Sequence, residues 1–147
     1  MKEPPTDAEV FKAFSNYQSL CDDNFNQEHT VPADTWIDAG LEWDALDAET
    51  VQSSWQYVNI TVSVDNENIE NPKQYTVGPY ETQTQCPNRS MHKGMAMALA
   101  IYVPPLSVGD HQVFWSFSFE RDASDGWNTY TKGTTFGISS VLHIVAD

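Results

Sequence analysis

Positive charge is scarce in this sequence. Seven Lys and Arg stand against 21 Asp and Glu, giving a net charge of −14 and a pI near 4.3. Such a surface repels nucleic-acid phosphates and anionic lipid heads, so both are excluded as main partners. It favours solubility, and it attracts cations or a basic partner. Long apolar runs are absent too: no stretch approaches the roughly 20 apolar residues of a membrane span. Glycine is sparse, with seven scattered residues, and no phosphate-cradling glycine loop can be drawn from them. No nucleophile elbow is present, since Ser139 and Ser140 follow Gly137 outside the G-x-S-x-G frame.

Cysteine is limited to Cys21 and Cys86. An even pair in an acidic, Lys-poor, Trp-rich chain is expected to form one disulfide, and so places the protein outside the reducing cytoplasm. Closing that loop is worth about 4 kcal/mol in the chain-entropy model. The alternative is two unrelated buried thiols. The opening Lys2-Glu3-Pro4-Pro5-Thr6-Asp7 is polar from the start. It looks like the tether that follows a removed signal peptide or a lipid anchor, so an extracellular or cell-envelope location is expected.

What is present is aromatic and patterned. Five Trp, six Tyr and seven Phe are too many for a chain that stays unfolded. The length of 147 residues fits a single domain burying roughly two-thirds of its unfolded surface. Thr6-Asp7-Ala8-Glu9 reads as a capping box, and Val10, Phe11, Phe14 and Tyr17 recur at helical spacing. A helix over about 7–20 is predicted. Residues 22–54 show apolar anchors without a clean period, with a short helix over about 47–54. Val58, Ile60, Val62 and Val64 alternate with Asn59, Thr61 and Ser63, the pattern of a half-buried strand. Asp65-Asn66-Glu67-Asn68 carries turn chemistry. Tyr75 and Val77 suggest a strand ending near Gly78-Pro79.

Residues 95–103 are apolar on both faces, with mostly Ala at even positions, which predicts a strand whose second face is closely covered. Residues 111–119 put Val113, Trp115, Phe117 and Phe119 on one face. Arg121 to Lys132 is a polar loop, and strands near 128–136 and 139–146 close the chain. Strands with turn signals every 8–12 residues point to a β-sandwich. The segment 1–54 reads as a helical and irregular N-terminal part, and 55–147 as the sandwich core, within one domain.

Pro105-Leu106-Ser107-Val108-Gly109-Asp110-His111-Gln112-Val113 resembles the turn-and-strand of bacterial secreted and lipoprotein β-sandwich domains, with Val108 and Asp110 where those have Pro and Glu. Val141-Leu142-His143-Ile144-Val145 is similar to their closing strand. The resemblance covers about 55–147. It implies a mainly β fold, an immunoglobulin-like or fibronectin-like antiparallel sandwich, here with an N-terminal α-helix packed on it. It implies an envelope location and transfers no catalytic residue.

Three kinds of chemistry compete for the polar and aromatic residues. Trp36, Trp43, Trp127 and Tyr130 are candidates for a flat platform that holds polysaccharide, against the reading that such large rings fill the core. Asp122, Ser124 and Asp125 place hard oxygens in one loop, as a Ca²⁺ site requires, against the reading of a solvated loop. His92, with Cys86, Met97 and the upstream His29, offers soft ligands for copper, although Met95 and Met97 also fit the core alternation. With 21 acids some carboxylate pair always resembles a glycosidase, so that signal has no specificity. The expected function is a non-enzymatic extracellular or envelope module for protein interaction or self-assembly. The alternatives are a carbohydrate-binding module and a Ca²⁺- or copper-binding envelope protein.

Overall fold

The computed structural model describes residues 3–14, 26–84 and 92–147. Cys21 and Cys86 lie outside them, as do the last residues of the predicted N-terminal helix and the side chain of His92. The chain is mainly β. In order it forms β1 (Val10–Lys12), β2 (Asn26–Pro32), β3 (Trp36–Asp38), β4 (Glu42–Ala45), α1 (Ala48–Gln56), β5 (Val58–Val64), β6 (Glu67–Asn68), β7 (Thr76–Thr84), β8 (His92–Leu99), β9 (Tyr102–Val103), β10 (Gly109–Phe119), β11 (Ala123–Ser124), β12 (Thr129–Tyr130) and β13 (Thr135–Val145). No helix among the described residues is long and apolar enough to cross a membrane.

The larger sheet runs β2-β13-β10-β5-β6. Its centre follows from the alternation in β5 and β10. Ile138, Trp115 and Val62 stand side by side across three strands, and Phe136, Phe117 and Ile60 form the next row. Each row buries one apolar face, so a one-residue slip would turn all of it to water. The turn from β5 to β6 uses Asp65 and Asn66 at positive φ, as a tight hairpin requires.

The second group of strands has the orders β1-β3-β9 and β4-β8-β7. Ile37 pairs with Val103 and Trp43 with Met97, so β3–β4 and β9–β8 keep one antiparallel register. Ala39 N donates to Ile101 O between them, which makes the ladder nearly continuous. Odd residues of this ladder (Ile37, Trp43, Met97, Leu99, Ile101) enter the core, where they meet Val113, Trp115, Phe117, Phe119, Ile138 and Leu142. Trp115 Nε1 donates to Ala39 O at 2.7 Å, tying the two sheets together. Trp43 Nε1 donates to Ser54 Oγ at 2.8 Å and Trp55 Nε1 to Thr76 Oγ1 at 3.3 Å, so all three buried indoles are satisfied.

Helix α1 lies close to the 47–54 expected. Asp47 caps it by accepting from Thr50 N at 2.8 Å, and Val51, Ser54 and Trp55 turn inward. Replacing the cap with alanine (Asp47→Ala) is expected to cost about 1 kcal/mol in urea unfolding, and an unchanged midpoint would contradict the capping role.

Four expectations need correction. No helix starts at residue 7. Ala8 N bonds Pro5 O in a turn, Glu9 O accepts from Trp36 N, and Val10–Lys12 pairs in parallel with β3. The Glu9 carbonyl and the Ala13 amide, which a helix would bond to each other, go instead to Trp36 N and Asp38 O. β7 does not end at Gly78-Pro79 but passes through a cis peptide and a register shift to Thr84. The two closing strands are one long β13, preceded by the short β12. The sheets are mixed rather than purely antiparallel, because β2 runs parallel to β13. Within residues 22–54, β4 is a hydrogen-bonded strand whose Trp43 and Ala45 sit in the core.

Candidate functional site

The even-numbered residues of β3–β4 and of β8 face away from the core. On β8 they are Gly94, Ala96 and Ala98, a floor without bulk. Asp44 stands opposite Ala96, and Glu42 opposite Ala98. On the other side Tyr80 stands opposite Ala96, and Thr82 opposite Gly94. These acidic and hydroxyl-bearing rows cover the middle of β8, where Ala96 is 0% exposed, and leave a hollow at each end of the strand. A pocket of about 400 Å³ occupies its Ala98–Ala100 end, lined also by Lys12, Asp38, Glu42 and Tyr80. A second, of about 630 Å³, occupies the Gly94 end beside Thr82 and Lys93.

Glu42 and Asp44 form the chemical centre. Tyr80 Oη donates to Glu42 Oε2 at 2.6 Å, and Thr82 Oγ1 donates to Glu42 Oε1 at 3.2 Å. Asp44 is only 7% exposed, and its Oδ1 has no hydrogen-bond partner. Burial, then the negative charge and hydrogen bond of Glu42, push the Asp44 carboxyl from 3.8 up to about 8. At neutral pH it therefore stays protonated and can donate to Glu42. Burial and the neighbouring Glu42 also push the Tyr80 phenol up, so it remains a donor. The pair touches, which leaves no room for a sugar ring between the carboxyls.

Trp127 borders this site. A Cβ on Gly94 would sit 2.5 Å from Ala45 O and 3.1 Å from the Trp127 ring, so only glycine admits that close approach. The other ring candidates go elsewhere. Trp43 is in the core, edge-on to Phe117, Phe119 and Tyr130. Tyr130 stacks on Phe119 at 5.2 Å and donates to Asp125 Oδ2 at 2.9 Å. Trp36 is half-buried on β3, eight positions from Asp44 along the ladder, or roughly 25 Å. The four rings do not converge on one platform.

The loop oxygens are similarly engaged. Asp125 Oδ1 accepts from Trp127 N at 2.7 Å and Asn128 N at 2.6 Å. Ser124 Oγ accepts from Gly126 N at 3.0 Å, and Asp122 Oδ1 from Lys132 N at 2.8 Å. These are the bonds that shape the loop. Among the described residues no group of three or more His, Cys, Asp or Glu could hold a metal. Met97 is a core residue. His29 packs edge-on to Phe11 and lies 3.1 Å from Gln27 Oε1.

Two histidine clamps were not visible from sequence spacing, because their partners come from distant strands. His143 Nδ1 lies 2.6 Å from Asp110 Oδ1, and its Nε2 bonds Glu28. It thereby links β10, β13 and the edge strand β2. His111 Nδ1 lies 2.6 Å from Asp65 Oδ2, pinning the β5–β6 turn. Hydrogen bonds to Asp110 and then Glu28 raise the His143 pKa above 6.5. Its stabilisation is complete below the unfolded value and is lost as pH rises through the folded one. His143→Gln is expected to flatten the fall in stability above pH 6.5, read by denaturant unfolding at several pH values. An unaltered slope would count against the clamp.

Compared with protein-family models, with curated proteins and with solved structures, the chain matches none.

Proposed function

We propose that this chain is a non-enzymatic interaction module of immunoglobulin-like sandwich order, which meets a protein partner outside the reducing cytoplasm. The observation that carries the reading is the pair of hollows on the outer face of β4-β8-β7. Hollows open on that face at the Gly94 end and at the Ala98–Ala100 end, and a buried acid, Asp44, stands opposite Ala96 at a cost to stability. Costly polar groups of this kind are commonly kept for function. The strand orders support the sandwich: β1, β3–β4, β8–β9, β7 against β2, β13, β10, β5, β6 parallels the A-B-E-D and G-F-C-C′ arrangement. There are departures. β5 carries no Trp, and α1 fills the connection that would join strands B and C.

Self-assembly is one form of this function, and a separate partner the other. A polysaccharide is less well supported, because two of the four candidate rings are spent in the core. The extracellular setting rests on the Cys21–Cys86 pairing, which mass spectrometry without reductant reads as the loss of two hydrogens. The partner face is tested by amide shift mapping with a soluble polylysine at low salt, alongside sedimentation across a wide concentration range. Perturbation centred on Gly94–Ala100 is expected. Perturbation centred on β2 or β6 would contradict it.

A further inference from the structure

In a chain of net charge −14, the outer face of the larger sheet is uncharged over most of its length. Thr61, Ser116 and Gly137 stand side by side in one row, and Ser63, Phe114 and Ser139 in the next. The row beyond, from Asn59 to Thr135, is uncharged as well. Charge returns at the far end, with the clamp of Asp110, His143 and Glu28. Phe114 lies at the centre of this face and is 36% exposed. A Cβ on Gly137 would meet its ring at 3.1 and 3.3 Å, so the ring leans across that glycine and lies along the sheet. Ser63 and Ser139 are covered beside it, and Ser139 Oγ donates to Asn26 Oδ1 at 2.6 Å. Thr61 and Gln112 are exposed and Ser116 is half-buried. Their side chains have no hydrogen-bond partner among the described residues, so they are free to donate and accept.

We propose that this face binds an uncharged β-1,4-linked polysaccharide, which lies flat across β5, β10 and β13 with one sugar ring stacked on Phe114. Phe114 is not among the four rings weighed above, and the hollows lie on the other sheet, so this inference stands apart from the partner-binding reading. The chemistry of the two surfaces matches. A hydroxyl or carboxamide side chain both donates and accepts, as a sugar hydroxyl does. In a β-1,4-linked chain of equatorially substituted sugars the hydroxyls point sideways and the C–H bonds point up and down. Such a ribbon offers apolar C–H to an aromatic ring and hydroxyls to the groups that flank it. Three strands make a strip about 10 Å wide, suited to an extended ribbon and too shallow to enclose a single sugar. The charge balance selects as well, because an acidic polysaccharide would be repelled by the rest of the molecule. A second copy of the chain fits the face less well. Sheets packed face to face interdigitate apolar side chains, and here Phe114 and Val141 stand among hydroxyls and amides.

The test is an NMR titration of the full chain, read at backbone amides and aromatic rings, with cellohexaose and with chitohexaose. Carboxymethyl cellulose serves as the acidic counterpart. Shifts are expected at Thr61, Phe114, Ser116 and Gly137 with at least one neutral hexamer, and not with the carboxymethylated chain. Phe114→Ala is expected to weaken binding about tenfold. Phe114→Trp should retain it, and Val77→Ala, exposed on the other sheet, should leave it unchanged. Unfolding midpoints check that both Phe114 variants remain folded. No shift with either hexamer, or equal binding by wild type and Phe114→Ala, would overturn the site. Equal binding of the carboxymethylated chain would overturn the selection for an uncharged ligand. Shifts centred on Gly94 or on Ala98–Ala100 would overturn it by moving the sugar to the partner face. Movement of the same signals on diluting the protein without sugar would overturn it in favour of contact between copies.

Discussion

Asp44→Asn is expected to stabilise the protein at alkaline pH, by about 2–4 kcal/mol. The sign follows from the carboxyl itself. Its pKa is 3.8 unfolded and about 8 folded, so between those values the folded state holds a proton that the unfolded state has lost. Stability therefore falls as pH rises through that window, and the full penalty is present above it. Four pH units would allow roughly 6 kcal/mol as a ceiling, which relaxation and water entry reduce. A carboxamide is neutral at every pH, and its NH₂ can donate to Glu42 as the protonated acid does. The gain should be small near the unfolded pKa and grow toward the folded one. Urea unfolding of both proteins at acidic and alkaline pH measures it. A pH-independent difference, or destabilisation at alkaline pH, would contradict a buried neutral acid.

Phe119→Ala is expected to cost about 3–5 kcal/mol. Phe119 is 2% exposed and touches rings from both layers: Trp43 on β4 at 5.5 Å, Tyr130 at 5.2 Å and Phe117 at 6.3 Å. Its removal leaves a cavity where the two sheets and the 121–132 loop converge. A loss of this size is a third or more of the stability of a typical domain. Phe114 is the internal comparison. It lies on the same strand but the opposite face, is 36% exposed, and covers Gly137. Phe114→Ala should cost about 1 kcal/mol or less. Thermal unfolding of the two variants separates them, and equal losses would mean that the faces of β10 are not divided as described.

How much of this was readable without coordinates depended on periodicity. β5 and β10 alternate over seven and eleven residues, long enough for a period of two to be unmistakable, and both lie where expected. α1 lies close to the short helix read over about 47–54. The N-terminal segment misled because Thr6 and Glu9 satisfy a capping rule locally, while the pairing of Val10–Lys12 with β3 comes from residues more than twenty positions away. Tertiary pairing overrode local chemistry. β4 was missed for the opposite reason: Glu42-Trp43-Asp44-Ala45 does alternate, but it is short, and half its residues are acids that disfavour strands.

The candidate site was half visible. Alanine at even positions in 96–100 pointed to a closely covered face, and Ala96 and Ala98 are buried. Nothing in the order of residues paired that floor with Glu42 and Asp44, which lie more than fifty positions away and become neighbours only through β4–β8 registration. The aromatic candidates failed to converge because Trp43 and Tyr130 bury more usefully than they bind. The loop acids failed to converge because backbone amides claim their oxygens first.

The account turns on whether Asp44 keeps its proton at neutral pH in the folded chain. Carboxyl ¹³C shifts followed through a pH titration read this directly. The Asp44 signal is expected to titrate near 8. An Asp44 carboxyl that titrates near 3.8, like an exposed one, would contradict the account.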